Sequence, residues 1–369
     1  MKTQNFAKSI FLILLFFALI TLVAILKILN AFFIPLTVSI LLSFVFYPFC
    51  KKLHKLRIPW ALCVTIVIVL ALFALYFIGN LLANSLSTIL HTYPKYEERF
   101  TSIYQTFCKT FKIHYEEDSS LFVNLWNSMK VRSTLQNMAF TLSGSIVDFT
   151  KQFLVVGLLT IFLLLEINAM KDKITTAFPI REFGKKILTI AENTISDVTH
   201  YISIKFIISL LTGLLVFALT FFAKMDFPVL WGFLSFVLNF IPSFGSIISC
   251  ALTTLFALLQ FYPEWGIVLF IGIATVCINM ILGNIIEPRW EGSDLGISPF
   301  IILVSLSFWG WMWGFLGMIL AVPLMVIIKI VCENIELLQP FAVIIGTNKS
   351  HRRKKKAEET AVQESKQED

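Results

Sequence analysis

Four residues of one apolar run have the types and spacing to meet a polar solute. Between about Gly266 and Ile286 the chain is dominated by Leu, Ile, Val and Phe, yet Gly272, Asn279, Gly283 and Glu287 recur at intervals of seven, four and four. On a helix that spacing puts all four on one face. Small residues let a neighbouring helix approach closely, and an amide at membrane depth bonds either across to that helix or to a passing solute. Interhelical packing explains the same pattern, so both readings stand. Asn284, three residues before Glu287, extends the polar patch. A second group is Asn239 with Pro242 and Gly245, where proline and glycine interrupt a helix and free backbone amides and carbonyls. Freed groups of this kind coordinate an ion or a polar solute, or serve only as a hinge. Gly310, Gly314 and Gly317 interrupt a further run in the same way. Glu166, closing another apolar stretch, is either a proton or ion site or a marker of the water interface.

None of these groups is arranged for covalent chemistry. The chain has no HExxH, no GxSxG and no GxxxxGK[ST] segment, so metalloprotease, hydrolase and phosphate-loop chemistries are without support. The six cysteines, at 50, 63, 108, 250, 277 and 332, form no CxxC pair and lie mostly in apolar runs, as small buried hydrophobes do. No metal site, no cofactor and no enzymatic activity are expected. Evenly spaced arginines and a TVGYG-like filter are also missing, which disfavours voltage sensing and a selective ion channel.

The elements that must hold these residues follow from the distribution of charge. Of 369 residues 57% are hydrophobic and only 14% charged, too few to cover the surface of a water-soluble domain. The chain is expected to be an all-α, polytopic membrane protein. Its net charge of +7 reflects basic loops against anionic lipid, not nucleic acid. Most gaps between charged residues suit one crossing of roughly 20 residues. Arg57 to Lys95 encloses 37 uncharged residues, of which Pro59 to about Ala83 is the apolar part. Two other runs do not fit, with 37 uncharged residues between Asp226 and Glu264 and 34 between Asp294 and Lys329. Both contain helix breakers, and both are read as broken or re-entrant helical hairpins, giving about eight membrane passages in all. Two pairs of short spans are the alternative.

The expected organisation is three N-terminal transmembrane helices over 1–83, an extracytoplasmic amphipathic helical segment over 84–150, a transmembrane core over 151–340, and a disordered tail over 341–369. The core carries a cytoplasmic amphipathic helix at about 180–204. The outer segment shows one apolar stripe at 96, 100, 103, 104, 107 and 111 and a second at Val131, Leu135, Met138, Leu142 and Ile146. Each stripe suits an interfacial helix or an oligomer contact. Lys51, Lys52, Lys55 and Arg57, the basic stretch from Lys171 to Lys205, and the Arg352–Lys356 cluster place both termini in the cytoplasm.

In the C-terminal third the residues become specific. Leu238-Asn239-Phe240-Ile241-Pro242-Ser243-Phe244-Gly245-Ser246-Ile247-Ile248, then Gly283-Asn284-Ile285-Ile286-Glu287-Pro288, Gly296-Ile297-Ser298-Pro299, Gly314-Phe315-Leu316-Gly317-Met318 and Ala321-Val322-Pro323-Leu324 stand in one order. As an ordered set they resemble the signatures of the autoinducer-2 exporter family, and the likeness extends over about residues 10–340. Ser246 and Ser249 stand where that pattern has proline and glycine, and Trp309-Gly310-Trp311-Met312-Trp313 is bulkier than expected. The resemblance implies a multi-pass permease of the bacterial inner membrane, exporting a small polar solute such as autoinducer-2, or exchanging sodium for protons. The transport pathway would then involve Asn239, Pro242, Gly245, Gly272, Asn279, Gly283, Asn284, Glu287, Pro288, Gly314, Gly317 and Pro323, with Glu287 or Glu166 as a proton or ion site. Expected partners are a small polar solute or cation, membrane lipids and further copies of the chain. A non-transporting membrane scaffold is the alternative from another class.

Overall fold

A computed structural model describes residues 2–111, 152–167, 169, 173, 176, 181–291, 296–335 and 338–346. Its helices are α1 (Lys2–Ile28), α2 (Asn30–His54), α3 (Trp60–Phe111), α4 (Gln152–Ile167), α5 (Arg181–Phe222), α6 (Pro228–Leu238), α7 (Phe244–Phe261), α8 (Trp265–Met280), α9 (Pro299–Asn334) and α10 (Gln339–Ile345). α8 continues through a π turn, Ile281–Ile286, into a short helical stub, Glu287–Glu291. Six stretches among the described residues are long and apolar enough to cross a bilayer, and Phe16–Ile28, Gln152–Ile167 and Pro228–Leu238 are shorter apolar helices. Their outward side chains are large and apolar, as at Phe222, Leu255, Phe270 and Ile273. That is the arrangement lipid requires, with backbone groups bonded internally and hydrocarbon facing out. The chain is an all-α polytopic membrane protein.

Three expected boundaries fall elsewhere. α3 runs unbroken past residue 83 to Phe111, so residues 84–111 prolong the third helix instead of starting a separate one. The amphipathic stretch at about 180–204 is likewise the first half of α5, a single 42-residue helix. Residues 341–345 are helical in α10, and Gly346 pairs with Ile297 in an isolated bridge, so order extends into the expected tail. The second outer stripe, from Val131 to Ile146, and residues 347–369 lie outside the described residues.

The chain divides into two compact units. The first comprises Met1–Val64, Leu154–His200 and Ser293–Asp369. Here α9 is a hairpin of two limbs. Gly314 takes φ 64° and ψ −142°, a conformation open to glycine alone. Ser305 Oγ then donates to Ala321 O at 3.1 Å, across the two limbs. Trp309 and Trp313 pack at 4.8 Å beside the reversal, and Trp313 Nε1 donates to Leu26 O of α1 at 3.2 Å. The Lys27 ammonium sits 3.3 Å from the Trp311 ring centroid, an attraction a lone lysine at a helix end otherwise lacks. The bulky tryptophans thus tie the hairpin tip to α1.

The second unit comprises Thr65–Phe153 and Tyr201–Gly292. α6 and α7 form its hairpin. Pro228 opens α6 at a position where no amide donor is needed. A buried cluster of Val216, Met225, Trp231, Ala257 and Ile271 holds α5, α6, α7 and α8 together. α5 meets α6 glycine to glycine: a Cβ on Gly213 would lie 2.8 Å from Gly232 O. At the open end of the hairpin, Asp226 receives hydrogen bonds from Lys95 Nζ at 3.2 Å and from the Tyr96 hydroxyl. Arg99 Nη1 donates to Gln260 O at 2.6 Å, where α7 ends. Tyr96, expected on a lipid or subunit face, is 7% exposed and packs on Phe227 and Phe256 instead. Burial, and then the bond to Asp226, hold its phenol well above the ordinary range. Its stabilisation is therefore complete below the unfolded pKa of about 10 and lost only as pH rises further. Tyr96→Phe should cost about 1–2 kcal/mol in thermal unfolding of the detergent-solubilised protein, equally at pH 6 and pH 8.

Candidate functional site

The hairpin of the second unit turns within five residues. α6 ends at Leu238, the chain passes through Asn239–Ser243, and α7 begins at Phe244. Ser243 is held at φ 62°, a left-handed conformation unusual for a residue with a side chain. Gly245 closes the turn by touching its own hairpin: a Cβ there would lie 1.7 Å from Leu238 O. Only glycine fits. Behind the turn, Ser235 and Ser249 share a hydrogen bond of 2.6 Å between the two limbs. Ser249, one of the departures from the family pattern, therefore carries a polar contact that glycine would not.

A cavity of about 560 Å³ opens beside this turn. Its walls come from α5 (Lys205), from the turn and α7 (Asn239, Pro242, Ser243, Ser246, Ile247, Cys250), and from α8 with its π turn (Val276, Asn279, Met280, Gly283, Asn284, Glu287). Lys205 Nζ lies 2.6 Å from Glu287 Oε1, with the two side chains only 6% and 14% exposed. Asn239 donates from Nδ2 to Ser209 Oγ at 3.0 Å. Its Oδ1 accepts a long contact from Ser246 Oγ at 3.5 Å. Asn279 donates from Nδ2 to Thr275 O at 3.0 Å and to Cys250 Sγ at 3.3 Å. Its Oδ1, however, is buried without a hydrogen-bond partner among the described residues. An unmet buried acceptor costs about 1–3 kcal/mol, and a solute hydroxyl or amine at that point would recover it.

The structure brings together Asn239, Pro242, Asn279, Gly283, Asn284 and Glu287 of the expected residues. The π turn explains why adjacent residues Gly283 and Asn284 both reach the cavity, since its wider winding departs from the α-helical spacing. Gly272 does not join them. A Cβ there would stand 3.0 Å from Thr254 Cγ2, so this glycine serves the packing of α8 on α7. Pro288 is exposed at the start of the stub. Gly314, Gly317 and Pro323 belong to the other unit, where Gly317 lies against Trp309 O and Pro323 is buried in the second limb. Glu166 is also there, half exposed and paired with Lys173. In the sequence Lys205 reads as the last of the basic loop residues, at the end of a span. It lies instead inside the apolar stretch Thr194–Phe222, four residues before Ser209, and that polar pair within an apolar helix was the available signal.

Fold and site together define a polytopic helical membrane protein with two hairpins and, in one unit, a cavity lined by polar and apolar uncharged groups around one buried ion pair. A family model described as AI-2E family transporter matches residues 11–337, and the chain belongs to that family. A protein of Borreliella burgdorferi, provisionally named a transport protein, is 35% identical over 87% of this chain and 86% of its own length. A provisionally named transport protein of Haemophilus influenzae is 30% identical over 89% and 94%. The AI-2 transport protein TqsA of Escherichia coli is 27% identical over 85% and 89%. The chain is thus a multi-pass transporter of a bacterial family, as the ordered motifs led one to expect.

Proposed function

We propose that this permease moves a small, uncharged, hydroxylated solute across the bacterial inner membrane, with an autoinducer-2-like signal as the first candidate and both termini in the cytoplasm. The observation that carries the reading is the cavity beside the α6–α7 turn. Its wall holds Asn279, whose Oδ1 is unmet, the Ser243 and Ser246 hydroxyls, and an ion pair already neutralised. Such a lining replaces the hydration of a polar molecule without demanding a charge on it. The name of the Escherichia coli relative points to the same class of solute. No phosphate-binding loop is present in the sequence, so flux would follow a solute or ion gradient.

Proteoliposomes holding the purified full chain should release preloaded erythritol, ribitol or sorbitol faster than protein-free liposomes, as should autoinducer-2 itself. Equal release across that panel would overturn the reading. The same vesicles test the second reading, sodium/proton exchange, for which the buried carboxylate of Glu287 is the supporting observation. There, sodium-evoked dequenching would vanish in Glu287→Gln and persist in Glu166→Gln, because Glu166 lies half exposed on Lys173.

A further inference from the structure

We infer that the Lys205–Glu287 pair is the charge filter of this permease, setting its selectivity for uncharged over charged solutes. The inference rests on the cavity being the solute site. Among the described residues, Lys205 and Glu287 are the only charged groups that line it, and they stand 2.6 Å apart. The remaining lining is serine, asparagine, cysteine and apolar side chains, together with Pro242 and Gly283.

A pair so close presents a dipole to the cavity. The pair carries no net charge, so an entering ion loses its hydration and gains only the attraction of one end offset by the repulsion of the other, with no monopole in return. A neutral solute loses far less. It can bond to the two remaining N–H groups of the ammonium and to the free lone pairs of the carboxylate at the same time. Removing one partner changes the sign of the site instead of merely weakening it. With Glu287 neutral, the Lys205 ammonium is an uncompensated cation that attracts anions. With Lys205 neutral, the Glu287 carboxylate attracts cations. Removing both charges restores a site without a monopole. The asparagines and serines of the lining, Asn239, Asn279, Asn284, Ser243 and Ser246, do not ionise, and the Cys250 sulfur already accepts from Asn279 Nδ2, so the cavity holds no substitute cation or carboxylate.

The test uses three probes built on one six-carbon polyol chain in proteoliposomes of the full chain: sorbitol, gluconate and protonated N-methylglucamine. Wild type should release sorbitol and retain both ions. Glu287→Gln should raise gluconate release about tenfold or more over wild type, and Lys205→Gln should do the same for N-methylglucamine. The double variant K205Q/E287Q should retain both ions again. That reversal is what a merely structural role would not produce, since two disruptions would leak more than one. Should a single variant fail to fold, the charge-swapped K205E/E287K decides: retention of both ions supports the filter, and release of either overturns it. Single variants that fold and keep excluding both ions also overturn it. Failure of the underlying reading looks different, because sorbitol and its shorter relatives would then stay inside wild-type vesicles.

Discussion

Gly245→Ala should destroy the α6–α7 hairpin and with it all transport. The added methyl would stand 1.7 Å from the backbone oxygen of Leu238 and 2.5 Å from its carbonyl carbon. Neither is the end of a side chain that can turn away. To make room, the two limbs must part by more than an ångström, which breaks the Ser235–Ser249 bond and lifts Asn239 from Ser209. Ordinary overpacking costs about 1–3 kcal/mol, and a clash with fixed backbone belongs above that range. The expected result is loss of monodisperse, cooperatively melting protein after detergent extraction. Gly266→Ala is the matched control, because a Cβ there meets nothing within 4 Å. Gly317 of the other unit repeats the device, with a Cβ 1.9 Å from Trp309 O, and Gly317→Ala should fail in the same way. A variant at either position that melts like wild type would remove the close-packed hairpin from the account.

The second large effect belongs to the buried ion pair. Lys205→Met leaves the Glu287 carboxylate 14% exposed with no counter-charge, and breaking such a pair costs about 3–5 kcal/mol. The double variant K205M/E287L is expected to recover most of that loss, because replacing a buried pair by apolar side chains is often neutral or stabilising. It should nevertheless transport poorly. The pair is then kept for what it does to a solute, not for the stability of the helices around it. Thermal unfolding of the single and double variants, read alongside solute release, separates the two contributions. A double variant as unstable as the single would show that the pair's surroundings, Ser209 included, depend on charge for their packing.

The hairpins were visible in the amino-acid sequence because charge spacing reports directly on the low dielectric of the bilayer. Gaps of 37 and 34 residues fit no single crossing, and glycine and proline mark where each run reverses. Asn239 and Asn279 were visible for a related reason: an amide in an apolar run is costly, so its presence signals a partner or a ligand. Lys205 was hidden by the same logic. A lysine at the edge of an apolar run reads as the start of a loop, and its partner lies 82 positions further on. The π turn left no mark either, since an extra residue in one turn changes the winding without changing composition. Gly272 misled because spacing places a residue on a face, while only the neighbouring helix decides whether that face meets a cavity or Thr254. Asp226, which resembles any boundary residue, proved to be where Lys95 and Tyr96 converge.

If the cavity beside the α6–α7 turn carries the solute, Asn279→Leu should separate transport from stability. Leucine removes the buried, unpartnered Oδ1 together with the Nδ2 bonds to Thr275 O and Cys250 Sγ, so gain and loss offset and the variant should melt near the wild-type temperature. Release of sorbitol from proteoliposomes of the same preparation should fall about tenfold or more, the loss expected when a required hydrogen bond at a binding site is removed. Stability kept and transport lost is the predicted result. Sorbitol release at the wild-type rate from a fully folded Asn279→Leu protein would mean that the solute passes elsewhere.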